Sequence, residues 1–188
     1  MLIVEGADLV GKTTLCEELM RRLPGWCYAH LGPEANHAEW HSYWGYRRRA
    51  SRRVVQDRFH MSQVAYAWAR REEPAVTPYK YALVDAFLRE IGGFTVVVTA
   101  ERDLLSSRYT RPELYDLDKI LRANNAFMGF GRASHECYER ADVDLHVHCT
   151  PKNPWVMSEQ VDFILDRYMR RQDELDELIR AAAPYVTL

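Results

Sequence analysis

Five short apolar runs punctuate the chain, at residues 2–4, 26–31, 54–56, 94–99 and 143–148, with stretches of helical spacing between them. Runs of this length suit strands buried on both faces. Strands alternating with helices predict an α/β protein whose five-stranded parallel sheet is flanked by helices. Helical spacing is clearest at 13–20, 60–71, 77–91 and 158–182. Glu73-Pro74 separates the second stretch from the third, because proline cannot continue a helix. Gly92-Gly93 supplies a C-terminal cap ahead of the run at 94–99. In the last stretch Val161, Ile164, Leu165, Tyr168, Leu175, Leu178 and Ile179 fall mainly on one stripe, the pattern of an amphipathic helix. No repeat, low-complexity tract or long linker interrupts the chain. One domain is therefore expected, and 188 residues at 47% hydrophobic can fill its core.

Composition adds a few exclusions. The net charge of -2 gives no overall pull toward nucleic acid or membrane. Only Lys12, Lys80, Lys119 and Lys152 are lysines among the 25 basic residues. Such an arginine excess suits bidentate phosphate contacts, although genomic base composition produces the same bias. Cys16, Cys27, Cys137 and Cys149 show no C-x-x-C pairing or metal spacing and are expected to be small apolar residues in a reducing cytoplasm. No run approaches the ~20 apolar residues a bilayer span needs. The first strand begins at Leu2, which leaves no room for a signal peptide. A soluble cytoplasmic protein is expected.

The sharpest chemical signal follows the first run. Gly6-Ala7-Asp8-Leu9-Val10-Gly11-Lys12-Thr13 matches G-x-x-x-x-G-K-[ST], the phosphate-binding loop, and Thr14 continues into the first helical stretch. Glycines let the backbone curl so that its N–H groups converge on an anion. Lys12 adds charge near the β- and γ-phosphates, and the Thr13 hydroxyl suits magnesium. The helix start behind them adds partial positive charge. Strand, loop and helix occur in the order the motif requires, so a bound nucleoside triphosphate is expected, with a three-layer fold of the P-loop NTPase kind.

A second motif lies at the end of the third run, in Arg53-Val54-Val55-Gln56-Asp57-Arg58-Phe59-His60-Met61-Ser62-Gln63-Val64-Ala65-Tyr66. A buried strand delivers Asp57 and Arg58 to its C-terminal end, where open parallel sheets bind ligands. The carboxylate can hold a magnesium-bound water or an acceptor hydroxyl, and the guanidinium can clamp a phosphoryl group. An Asp-Arg pair alone is as often a structural ion pair. Behind a phosphate-binding loop it carries more weight.

Together the two motifs resemble those of the thymidylate kinase and deoxynucleoside kinase group. The resemblance implies that Arg58 holds the acceptor phosphate, that Asp57 sits by the metal, and that Asp8 contacts the acceptor's sugar 3′-hydroxyl. It also implies an arginine-bearing lid after the fourth strand, matched by a segment at about 101–116. Ala7, Leu9 and Val10 leave the loop without an arginine of its own, so the lid must supply transition-state charge. Arg108 and Arg111 are its candidates, worth up to ~10³-fold in rate if they reach the phosphoryl group. The stretch Cys149-Thr150-Pro151-Lys152-Asn153-Pro154 lies where such kinases pack adenine. Catalytic candidates are thus Lys12, Asp57, Arg58, Arg108 and Arg111, with ATP and Mg²⁺ as donor and metal.

The chain departs from the thymidylate kinase pattern at His30-Leu31-Gly32-Pro33-Glu34-Ala35-Asn36-His37, where the family carries an arginine-proline-glycine loop. The stretch most resembles thymidylate-kinase-like proteins of bacteriophages, among them kinases acting on 5-hydroxymethyluracil within DNA. Trp40, Tyr43, Trp44 and Tyr46 stand beside Arg47, Arg48, Arg49, Arg52 and Arg53, a composition that can stack unpaired bases and hold a backbone. The same residues also suit a helix with a buried aromatic side and a solvated basic one. Three acceptor readings stay open: the hydroxymethyl group of 5-hydroxymethyluracil in DNA, placed slightly first; a free deoxynucleoside monophosphate; and none, in a nucleotide-dependent switch. A hydroxyl acceptor must lose a proton, for which Asp57 is the preferred base and Asp8 the other candidate. His60, one helical step beyond, could also touch the acceptor, but a structural role, or one exerted through a neighbouring residue, is expected of it. A homodimer is possible, and the sequence does not distinguish ATP from GTP.

Overall fold

The computed structural model describes residues 1–31, 53–112, 116–130, 143–153 and 158–182. Within them the chain runs β1 (Leu2–Gly6), α1 (Lys12–Arg22), β2 (Cys27–His30), β3 (Val54–Asp57), α2 (His60–Arg70), α3 (Pro78–Glu90), β4 (Phe94–Ala100), α4 (Arg102–Arg108), α5 (Leu117–Phe130), β5 (Leu145–Cys149) and α6 (Ser158–Ala182). All five strands pair in parallel, in the order β2-β3-β1-β4-β5. Helix α1 packs with α6, and α2 with α5. β1, β3 and β4 are buried along their whole length, as a parallel sheet covered on both faces requires.

The expected elements shift by a residue or two at their ends. β2 is shorter than the apolar run at 26–31, and β5 starts later than the run at 143–148 and takes in Cys149. Thr77 is the cap of α3 rather than its first residue, its side chain accepting from the Lys80 N–H while Pro78 opens the helix. The sequence reading assigned no helix to 117–130, yet Ile120, Ala123, Asn124, Phe127 and Phe130 form the buried stripe of α5 at helical spacing. In α6 the stripe stops early. Val161, Ile164 and Tyr168 are buried, but Leu178 and Ile179 are half or more exposed. Cys16 and Cys149 are buried as expected, whereas Cys27 is exposed.

β1 sits at the centre, with β3 on one side and β4 on the other. After β1 the chain moves to β2 and β3; after β3 it crosses back over β1 to β4. The loop after β1 and the loop after β3 therefore leave the sheet in opposite senses, and at such a switch point open parallel sheets form their ligand crevice, at the carboxyl ends. Val4 pairs with Asp57, and Gly6 with Val98. The switch point lies between the two motifs.

Candidate functional site

The loop after β1 is shaped by residues the steric map disfavours. Gly6 has φ +149°, and a Cβ there would lie 2.2 Å from the Val98 carbonyl oxygen, so only glycine lets β1 leave the sheet here. Leu9 (φ 67°) and Gly11 (φ 102°) then take left-handed conformations. A non-glycine residue in that region costs about 1–2 kcal/mol, and such strain collects at ligand-binding turns. Ala7 and Val10 are fully buried behind the loop. Lys12 opens α1 at 6% exposure, and its ammonium donates to the Ala7 carbonyl. Burial, helped by the Arg58 charge, lowers the Lys12 pKa to about 8 against the pull of Asp8, Asp57 and Glu5. Thr13 and Thr14 stay exposed at the start of the helix.

Asp57 ends β3 at 2% exposure. Its Oδ2 accepts from the Tyr28 hydroxyl at 3.0 Å and lies 3.1 Å from His30 Nδ1. Its Oδ1 has no partner among the described residues. Arg58 follows with φ 64°. That turn is clasped from below, because the Gln56 amide donates to the carbonyls of Asp57 (3.3 Å) and Arg58 (2.9 Å), while the Arg58 N–H continues the sheet to Val4 (2.9 Å). The Arg58 guanidinium bonds Asp8 in the loop and lies 5.0 Å from the centre of the Tyr66 ring, whose hydroxyl donates to Asp8 at 2.9 Å. Arg58 Nε has no partner among the described residues. Buried polar atoms are nearly always bonded in native proteins, and these two exceptions lie on adjacent residues, one of which is bonded to the loop through Asp8. Burial pushes the Tyr66 and Tyr28 phenols up, with nearby carboxylates adding to it, so both remain proton donors.

Glu5 belongs to this cluster although neither sequence motif contains it. This fully buried carboxylate accepts from the backbone N–H groups of Phe59 (2.9 Å), Met61 (3.0 Å) and Ser62 (3.4 Å) and from the Ser62 hydroxyl. It caps α2 from another strand, and its burial raises its pKa. The available signal was a carboxylate extending an apolar strand run, which is expensive to bury unless it is bonded. Tyr28 and His30, the partners of Asp57, also lie outside both motifs; only strand pairing brings them together. His60 is fully buried, its Nε2 2.6 Å from Asp85 Oδ1 on α3, which agrees with the structural role expected of it.

On the other side of the loop, Arg108 at the end of α4 donates to the Leu9 carbonyl at 2.7 Å. Arg111 is exposed beyond that helix and shows no bond to the loop. Arg53 is exposed. Arg47, Arg48, Arg49 and Arg52, the aromatics from Trp40 to Tyr46, the stretch 32–37, residues 113–115 of the lid segment and Pro154 lie outside the described residues. A groove of about 540 Å³ is lined by Thr13, Glu17, Met20, Arg21 and Tyr28. A second, of about 280 Å³, lies at the carboxyl end of β4 against Asn124, Asn125 and His148. Among the described residues no group of three or more His, Cys, Asp or Glu side chains could hold a metal. Thr13 and Asp57 offer hard oxygen donors, which fits magnesium, an ion that binds through one or two protein oxygens plus phosphates and water. No described helix is long and apolar enough to cross a membrane.

No family model matches this sequence, and no curated protein does. Among solved structures the chain is similar to the YorR protein of Bacillus subtilis, crystallised in complex with phosphorylated GDP. The TM-score is 0.60 at 17% identity over 87% of this chain and 92% of that one. At that identity the likeness establishes the fold, an α/β architecture of the P-loop NTPase kind with a five-stranded parallel sheet.

Proposed function

We propose that this chain is an ATP- and Mg²⁺-dependent kinase that transfers the γ-phosphoryl group to a thymidine-like acceptor. The observation that carries the reading is the pair of buried atoms with no partner among the described residues, Asp57 Oδ1 and Arg58 Nε, beside the strained loop that carries Lys12. That the structural neighbour was crystallised with phosphorylated GDP supports nucleotide binding by this chain.

The loop N–H groups and the start of α1 bind the donor's phosphates, and Lys12 supplies a full charge there. Thr13 would hold magnesium and Asp57 one of the ion's bound waters, and the ion would neutralise phosphate charge when bound. Arg58, fixed to Asp8 and Tyr66, orients the acceptor side. Arg108 already touches the loop and is the better lid candidate; Arg111 needs a closing movement to contribute. With a hydroxyl acceptor, a bond forms between its oxygen and the γ-phosphorus while the bond to the β–γ bridging oxygen breaks. ADP departs and the hydroxyl proton passes to Asp57 Oδ1.

The preferred acceptor is the hydroxymethyl group of 5-hydroxymethyluracil in phage DNA, on the strength of the altered stretch after β2 and the aromatic-arginine composition of residues 40–53. The chain would then work in the host cytoplasm. The second reading is a free deoxynucleoside monophosphate. It is favoured by the compact Asp8–Arg58–Tyr66 cluster, whose guanidinium suits a terminal phosphate. Incubation with γ-labelled ATP tests both readings. Label on modified DNA supports the first, label on a mononucleotide supports the second, and label on neither overturns the kinase assignment. For a DNA acceptor, replacing Arg47, Arg48 and Arg49 together weakens binding and flattens its salt dependence.

A further inference from the structure

We propose that Tyr28 and His30, neighbouring-strand residues with no role in the reading above, are positioning residues that fix the reactive face of Asp57. The inference rests on the assignment of Asp57 as the group that serves the transfer.

In the parallel pairing of β2 with β3, His30 stands opposite Asp57. Tyr28 lies two residues earlier on β2 and therefore on the same face. Both reach one oxygen, Oδ2, at 3.0 and 3.1 Å, which fills its two lone pairs. Oδ1 is left without a partner among the described residues at a carboxylate only 2% exposed. An aspartate's last torsion is broad, so an unclamped carboxylate would sample many planes. Two donors on a single oxygen select one plane and present the other oxygen. Neither donor is there to fill the core, since Tyr28 is 46% exposed and the His30 side chain 41%. An exposed aromatic whose hydroxyl turns inward to a buried carboxylate is placed for that contact. Tyr28 also lines the open groove beside Thr13, so the clamp borders the loop's own donor for magnesium.

The test compares Tyr28→Phe, His30→Ala, their double variant, His30→Asn and Asp57→Asn in the full chain. It follows loss of the γ-phosphoryl group from labelled ATP, to acceptor or water, together with nucleotide affinity and thermal unfolding. Each clamp variant is expected to lower kcat by ~10-fold and the double by ~10²-fold, with KM for ATP within ~3-fold and unfolding temperature nearly unchanged. His30→Asn, which keeps a donor, is expected to recover most of the rate. If Asp57→Asn abolishes turnover while the double variant stays within twofold of wild type, the clamp is overturned and the kinase reading stands. If Asp57→Asn itself turns over normally, both fall. Parallel losses in affinity, rate and unfolding temperature, without recovery in His30→Asn, also overturn the positioning role.

Discussion

Lys12 is where burial and binding oppose one another most directly. Its ammonium is nearly enclosed, and its pKa falls from 10.5 to about 8 in the free protein. A lysine whose folded pKa lies below its unfolded one costs stability while charged. The cost is full below pH 8 and fades as pH rises from there toward 10.5. Replacing Lys12 with Met should therefore raise the unfolding temperature of the free protein at pH 7, by up to a few kcal/mol of stability, while abolishing transfer. Calorimetry and the labelled-ATP assay check the two halves. Bound phosphates favour the charged lysine, so triphosphate affinity should weaken as pH rises through about 8, with proton uptake on binding near that pH. Titration calorimetry in buffers of different ionisation enthalpy reads that proton directly. Gly6 makes the opposite point. Its missing Cβ keeps β1 against β4, and Gly6→Ala, which sets a carbon 2.2 Å from a carbonyl oxygen, should cost about 4 kcal/mol or more and yield little folded protein.

At the scale of elements, the two motifs are joined by β1 and α2. Glu5 ends the apolar stretch of β1 and holds the first turn of α2, so the strand that leads into the phosphate loop also anchors the helix behind Arg58. Glu5→Ala would leave three backbone N–H groups without their acceptor. The expected cost is about 3 kcal/mol, a fall of roughly 10 °C in unfolding temperature for a chain of this size. Asn124 does comparable work on the other flank, bonding both the N–H (3.0 Å) and the carbonyl (2.9 Å) of Ala100 where β4 gives way to α4 and Arg108. These buried polar residues are acceptable inside the core because each is bonded to backbone that must itself be satisfied.

Across the whole molecule, the strand order puts Asp57 and Arg58 at the end of β3 and Arg108 beyond β4, on opposite sides of the central strand. Donor binding and chemistry can therefore be separated by experiment. A nucleotide at a hundredfold excess over its Kd stabilises the folded chain by about 2.7 kcal/mol. Asp57→Asn should keep most of that thermal shift and lose the transfer rate, by at least ~10²-fold. Equal loss of both would place Asp57 in binding alone.

The alternation of apolar runs and helical stretches, with G-x-x-x-x-G-K-[ST] placed between strand and helix, was enough to derive the parallel sheet and the glycine loop between β1 and α1. Both follow from local rules: side-chain period, the conformational freedom of glycine, and the charge of Lys12. Asp57 and Arg58 could be read as well, since a polar pair at the end of a buried strand stands out in a single segment. Strand order, the capping of α2 by Glu5 and the convergence of Tyr28 and His30 on one carboxylate oxygen could not. Each joins residues far apart in sequence, and those contacts exist only once β2, β3 and β1 lie side by side. The same reason explains why Arg108 and Arg111 looked equivalent along the chain, while the fold sets one against the loop and leaves the other in solvent.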